Sequence, residues 1–97
     1  MAKGYWVAHV DVRDPQVYER YRDANAVPFA EYGARFLVRG GRQEIREGAA
    51  RKRTVVIEFD SYEKAVACYE SAGYRAAKEI RDAVSDGDLV IVEGYDG

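Results

Sequence analysis

The sequence predicts an α+β fold built as one domain: a four-stranded antiparallel sheet with its helices on one face. Three observations carry that expectation. Strand-like and helix-like segments follow one another as strand, helix, strand, strand, helix, strand. The two middle strands are consecutive and meet at a glycine-bearing hairpin. The first and third strands each have one apolar face and one mixed face, the pattern of a sheet covered on one side. With 97 residues, there is room for a single hydrophobic core.

Residues 4–12, GYWVAHVDV, have the aromatic and β-branched content of a first strand. Alternation puts Trp6, Ala8, Val10 and Val12 on one face and Tyr5, Val7, His9 and Asp11 on the other. Asp14 before Pro15 reads as an N-cap with proline at the first helical position. Val17, Tyr21 and Ala24 recur at helical spacing with Tyr18 beside them, and Pro28 is expected to end the helix near Asn25. Residues 34–48 read as a long strand kinked or bulged at Gly40 and Gly41, the hairpin tip falls at Gly48 and Ala49, and 51–59 is the return strand. Asp60 with Glu63 matches a capping box for the next helix. Val66, Tyr69 and Ala72 give that helix an apolar stripe, which Gly73 interrupts. A further stretch over 74–84 turns Ala77, Ile80 and Val84 inward. Asp86, Gly87 and Asp88 read as a turn, and Leu89, Val90, Ile91 and Val92 as the last strand. This is the ferredoxin-like split βαβ order, and it leaves one sheet face uncovered within the chain.

Glu58 stands in the apolar run RTVVIEF, where a carboxylate needs water or a partner. Counted outward from the tip without a bulge, the hairpin opposes Glu44 to Arg53, Arg39 to Glu58 and Val38 to Phe59. Phe36 and Val38 then join Val55, Ile57 and Phe59 under the helices. Arg35, Leu37 and Arg39 lie on the open side with Thr54, Val56 and Glu58. A bulge at Gly40 and Gly41 would shift that pairing. Because the first and third strands are central neighbours, His9, Arg39 and Glu58 share the open face with Val7, Leu37 and Val56. Half apolar and half charged, this face fits a homodimer contact that encloses a small polar pocket.

Composition narrows the function classes. A chain 47 % hydrophobic and 33 % charged is an ordinary globular one. Its net charge of −2 and pI near 5.4 argue against nucleic acid as a partner. No apolar run approaches the roughly 20 residues that span a bilayer. The start MAKGYWVAHV lacks a signal peptide's apolar core, and the single cysteine, Cys68, fits a reducing compartment, so a cytoplasmic location is expected. No metal site is expected, since the one histidine has no His or Cys ligands beside it, and no cofactor is expected.

GYWVAHVDV with DPQVYERY, then GARFLVRGG, RTVVIEF, the ACYES segment and DLVIVEG together resemble the domain of unknown function 1330 family, within the dimeric α/β-barrel superfamily. The resemblance runs along nearly the whole chain. It implies two sheets joined through their open faces into a barrel with the helices outside. Its patterns fall on Arg39, Glu58, Tyr69 and Ser71, and the chain departs from it at Ala72 and Gly73, where the family carries proline and an acidic residue. The family carries no assigned activity.

Two functions follow as expectations. One is a dimer that binds a small organic molecule in a cavity on the uncovered sheet face. The other is a cofactor-independent enzyme, monooxygenase- or isomerase-like by analogy of fold. In the second, Glu58 or His9 is the proton acceptor, Arg39 the anion clamp, and Trp6 or Tyr69 the pocket wall. Glu58 has a plainer reading as a register-fixing ion pair with Arg39, and an arginine neighbour would lower its pKa rather than ready it as a base. The arginines that flank Gly40 and Gly41 lack the strand-to-helix setting of a phosphate loop, so the glycines read as a strand bulge.

Overall fold

A computed structural model describes residues 2–96 and has the expected order: β1 (Gly4–Val12), α1 (Pro15–Glu31), β2 (Arg35–Arg39), β3 (Arg53–Phe59), α2 (Tyr62–Glu70), α3 (Ala72–Val84) and β4 (Ser85–Glu93). The strands form one antiparallel sheet in the order β2-β3-β1-β4, with β1 and β3 at its centre. The helices cover one face. Trp6, Ala8 and Val10 point under them and are buried, as alternation required.

The core is largely aromatic. Trp6, 1 % exposed, meets Tyr74 at 4.8 Å between ring centroids, Phe29 at 5.3 Å, Phe59 at 5.4 Å and Tyr69 at 5.6 Å. Three of these contacts are edge-on, the geometry that ring quadrupoles favour. The indole Nε1–H donates to the Ala65 carbonyl at 2.8 Å and ties α2 to β1. Cys68 is also fully buried, and burial pushes its thiol up to about 12, so it packs as a small apolar group.

Several expected boundaries move. Asp14 does cap α1, accepting from the backbone N–H groups of Gln16 and Val17 at 3.1 and 3.2 Å. The helix nevertheless runs through Pro28 to Glu31 instead of ending near Asn25. The added turn buries Phe29 against Trp6, Phe36 and Tyr74, and that packing outweighs the hydrogen bond that Pro28 cannot make. Gly33, at φ 69°, ends it in the left-handed region. The buried side of α1 centres on Tyr18, Tyr21 and Asn25 rather than on Val17 and Ala24.

Ser61, not Asp60, caps α2, and Asp60 instead pairs with Arg35 at 3.0 Å and Lys64 at 3.6 Å. The buried stripe of α2 is Ala65 and Cys68, one position off Val66 and Tyr69. The break before α3 falls at Ser71 rather than Gly73, because the Ser71 hydroxyl donates to Cys68 O at 2.7 Å and accepts from Tyr74 N at 3.2 Å. Asp86, Gly87 and Asp88 are not a turn but part of β4, paired with Asp11, Val10 and His9.

The largest correction concerns the hairpin. β2 stops at Arg39, and residues 40–52 form an irregular loop in place of a long arm with its tip at Gly48 and Ala49. The bulge lies earlier than Gly40 and Gly41: Phe36 opposes Ile57 while Val38 opposes Val56, so Leu37 is the extra residue. That one residue reverses the alternation of everything after it. Val38 turns to the open face and Arg39, opposite Val55, turns under the helices.

Candidate functional site

The open face is crossed by an apolar row contributed by all four strands: Val38, Val56, Val7 and Val90, each opposed to the next. Val90 is 58 % exposed, and Val92 and Leu37 are also exposed. Charged and polar groups flank the row. Arg35 Nε donates to Glu58 Oε1 at 3.0 Å, and Tyr5 Oη donates to Oε2 at 3.1 Å. The Arg35 hydrogen bond is the chief cause holding the Glu58 carboxyl below its ordinary value, with the Tyr5 bond adding against some desolvation. The same bond to Glu58 pushes the Tyr5 phenol up.

His9 lies on this face beyond the valines, its Nδ1 at 3.1 Å from Thr54 Oγ1. It is four positions along the strand from Tyr5 and its neighbour Glu58, roughly 13 Å of extended chain. It borders a wide, shallow hollow of about 360 Å³ shared with Asp11, Ala49, Ala50, Arg51 and Asp88. Within the hollow, Arg51 is paired with both Asp11 and Asp88, at 3.0 and 3.1 Å. Among the described residues no three His, Cys, Asp or Glu side chains gather as metal ligands.

A second, more enclosed space lies on the covered side, between the sheet and the helices α1 and α3. Its walls include Trp6, Tyr18, Tyr21, Phe29, Phe36 and Leu89. It measures about 460 Å³ counted out to its open mouth, but the space free to a water-sized sphere is only about 30 Å³, room for one or two water molecules. Polar groups converge on it: the buried Asn25, and the guanidinium groups of Arg22, Arg39, Arg53 and Arg81. Arg81 is fixed by donating to Tyr74 Oη at 2.8 Å, and that hydroxyl also bonds Tyr21 Oη at 2.8 Å. Burial, reinforced by Tyr21, pushes the Tyr74 phenol up.

The predicted site residues are therefore divided between two faces. Glu58 and His9 are on the open face but apart. Trp6 and Arg39 line the covered cleft, and Tyr69 packs behind Trp6. The Arg39–Glu58 pair is not formed, and Arg35 takes Arg39's place: the loop over residues 40–52 slides the pairing of β2 on β3 by three residues, and the bulge at Leu37 adds a fourth. Sequence reasoning also misses Arg22, Asn25 and Arg53. Tyr18, Tyr21, Arg22, Asn25 and Phe29 do recur at the three- and four-residue steps of one helix face, a legible signal once α1 is allowed past Pro28.

The Arg35–Glu58 contact is testable. Arg35→Met and Glu58→Gln should each lower the melting temperature, and the double variant should recover part of the loss, whereas Arg39→Met combined with Glu58→Gln should be additive. Since the Glu58 pKa is depressed in the folded state, its contribution is present above the unfolded-state value and is lost as pH falls through the folded one. Glu58→Gln should therefore flatten the acid limb of a stability–pH curve; an unchanged limb would mean that Glu58 is not engaged in solution.

A four-stranded sheet open on one face, with a cleft under the helices on the other, defines a ferredoxin-like α+β protein. Within that class the chain belongs to the family described as Domain of unknown function (DUF1330), which matches residues 3–95. No curated protein matches it in sequence. Among solved structures, it resembles a protein of unknown function from Rhodopseudomonas palustris, with a TM-score of 0.78 at 17 % identity, over 99 % of this chain and 85 % of that one. It also resembles SnoaB, a cofactor-independent oxygenase from Streptomyces nogalater, with a TM-score of 0.66 at 13 % identity, over 100 % and 97 % of the two chains. A dimeric ferredoxin-like protein of unknown function from Bacteroides fragilis has a TM-score of 0.61 at 14 % identity, over 94 % and 95 %. At these identities the likeness is one of fold.

Proposed function

We propose that the protein is a homodimer joined through the open sheet face, and that each protomer binds a small organic molecule in the cleft between the sheet and α1 and α3. The observation that carries the ligand reading is the cleft itself, where aromatic walls meet a few convergent polar groups, the usual make-up of a small-molecule site. This reading takes the ligand to the covered side, where the expectation from sequence had it on the open one. Trp6 forms the wall and is the only tryptophan, so its fluorescence reports occupancy. A saturable change is expected with at least one compound from a panel of small aromatic molecules; a flat response throughout would remove the reading.

The homodimer is supported by the valine row and by the dimeric description of the Bacteroides fragilis relative. Sedimentation at micromolar concentration should give a species twice the 10.9 kDa protomer. Val56→Asp puts a carboxylate into the middle of that row and should drive the population toward monomer or unfolded chain. A wild-type protein that sediments as a protomer would end the barrel reading. No helix among the described residues is long and apolar enough to cross a membrane, and a cytoplasmic setting suits the free Cys68.

Cofactor-independent catalysis is a second reading, and it favours His9 over Glu58. The His9 imidazole borders the open hollow beside Thr54, while the Glu58 carboxylate is engaged by Arg35 and Tyr5. SnoaB's description as a cofactor-independent oxygenase supports it by fold analogy alone.

A further inference from the structure

The cleft has an unusual excess of one charge at its mouth. Arg22 reaches it from α1, Arg39 from the end of β2 and Arg53 from the start of β3. Arg22 holds Glu19 at 2.7 Å, but Arg39 and Arg53 have no carboxylate partner among the described residues. Elsewhere the chain pairs its arginines readily, as Arg13, Arg35, Arg46, Arg51 and Arg81 do.

Two further observations mark the mouth as built for an acceptor. The Nε–H groups of Arg22 and Arg53 are buried and have no hydrogen-bond acceptor among the described residues, which is costly for charged donors. Gly40, at φ 70°, leaves the space into which the Arg53 guanidinium extends, and a Cβ there would collide with it. Arg39 meanwhile lies over the Phe36 ring, 3.9 Å from its centroid. Burial, followed by the charges of Arg22 and Arg53, pushes the Arg39 pKa down, as expected of cations gathered without a counter-ion.

We infer that Arg22, Arg39 and Arg53 bind the oxyanion head, carboxylate or phosphate, of a small organic acid whose apolar body enters the cleft toward Trp6 and Phe36. The guanidinium fork suits either head. With so little free space inside, a short chain or the edge of a single ring enters, and the rest of the body stays in the open mouth. The inference rests on the cleft being the ligand site and adds the chemical class of the ligand.

The test is a Trp6 fluorescence titration of the intact protein with phenylacetate, phenyl phosphate, neutral phenylacetamide and inorganic phosphate. At least one of the two aromatic anions should bind about tenfold or more tighter than the amide, and inorganic phosphate should bind more weakly than phenyl phosphate. Arg39→Gln, at an exposed position, should remove about tenfold of the anion's affinity and leave the amide's unchanged. Should that variant fail to fold, the wild type decides: anion affinity should fall about threefold or more between about 0.02 and 0.5 M NaCl, and amide affinity should not. Amide binding as tight as both anions would overturn the oxyanion inference and leave the cleft as a neutral site. Inorganic phosphate binding as tightly as phenyl phosphate would overturn the apolar body. No saturable response to any compound would overturn both this inference and the cleft reading.

Discussion

Trp6→Ala is expected to lower the melting temperature by roughly 12–40 °C, which for a marginal domain means no stable fold at room temperature. Truncating a buried large aromatic costs about 3–5 kcal/mol through lost transfer energy and the cavity left behind. Trp6 is at the upper end of that range, because four aromatic rings pack against it and its neighbours on β3, α1, α2 and α3 cannot all collapse into the gap. The substitution also leaves the Ala65 carbonyl without its donor. Trp6→Phe retains a ring but not the donor, and should fall between wild type and alanine. Calorimetry on the three proteins checks the order; Trp6→Ala melting within a few degrees of wild type would show that the core is not organised around this residue.

Gly4→Ala should be the most damaging of the glycine substitutions on the sheet. A Cβ there would come within 2.6 Å of Tyr62 Cα and 2.7 Å of the Ser61 carbonyl carbon, and closer still to the Ser61 oxygen. All three are backbone atoms at the start of α2, which no rotamer change can move aside. The helix would have to lift from β1, and overpacking of this kind costs about 1–3 kcal/mol or somewhat more. Gly41→Ala is the control: nothing lies within 4 Å of its Cβ, and its effect should stay within about 0.5 kcal/mol. Urea midpoints at constant m-value measure both. Equal effects at the two positions would contradict the close approach of β1 to α2.

The strand order and the covered face of β1 were legible because Trp6, Ala8 and Val10 alternate cleanly with Tyr5, Val7 and His9, and period two admits one solution. The end of α1 was not, since Pro28 is a local signal and the burial of Phe29 that overrides it is a tertiary one. β2 misled for a different reason. In Phe36, Leu37, Val38 the run is apolar at every position, so alternation cannot tell which residue is the extra one. The partner of Glu58 was lost earlier, in counting outward from a tip at Gly48 and Ala49 that the loop over residues 40–52 does not form; the bulge then added one more residue of offset. Glu58 itself was rightly read as a paired carboxylate, and Arg35 lay only four positions from the partner chosen.

The bulge at Leu37 makes β2 a matter of parity. In an unbroken strand Phe36 and Arg39, three positions apart, would face opposite sides of the sheet; the extra residue puts both under the helices. Keeping Leu37 but losing the bulge would carry the Arg39 charge from the cleft to the open face, whereas deleting Leu37 would leave a regular strand with Arg39 still opposite Val55. The bulge, more than the length of the strand, is then what sets a cation in the cavity rather than on the flat side of the sheet. Aligned arginines in two such chains face the same side only where both chains share the bulge.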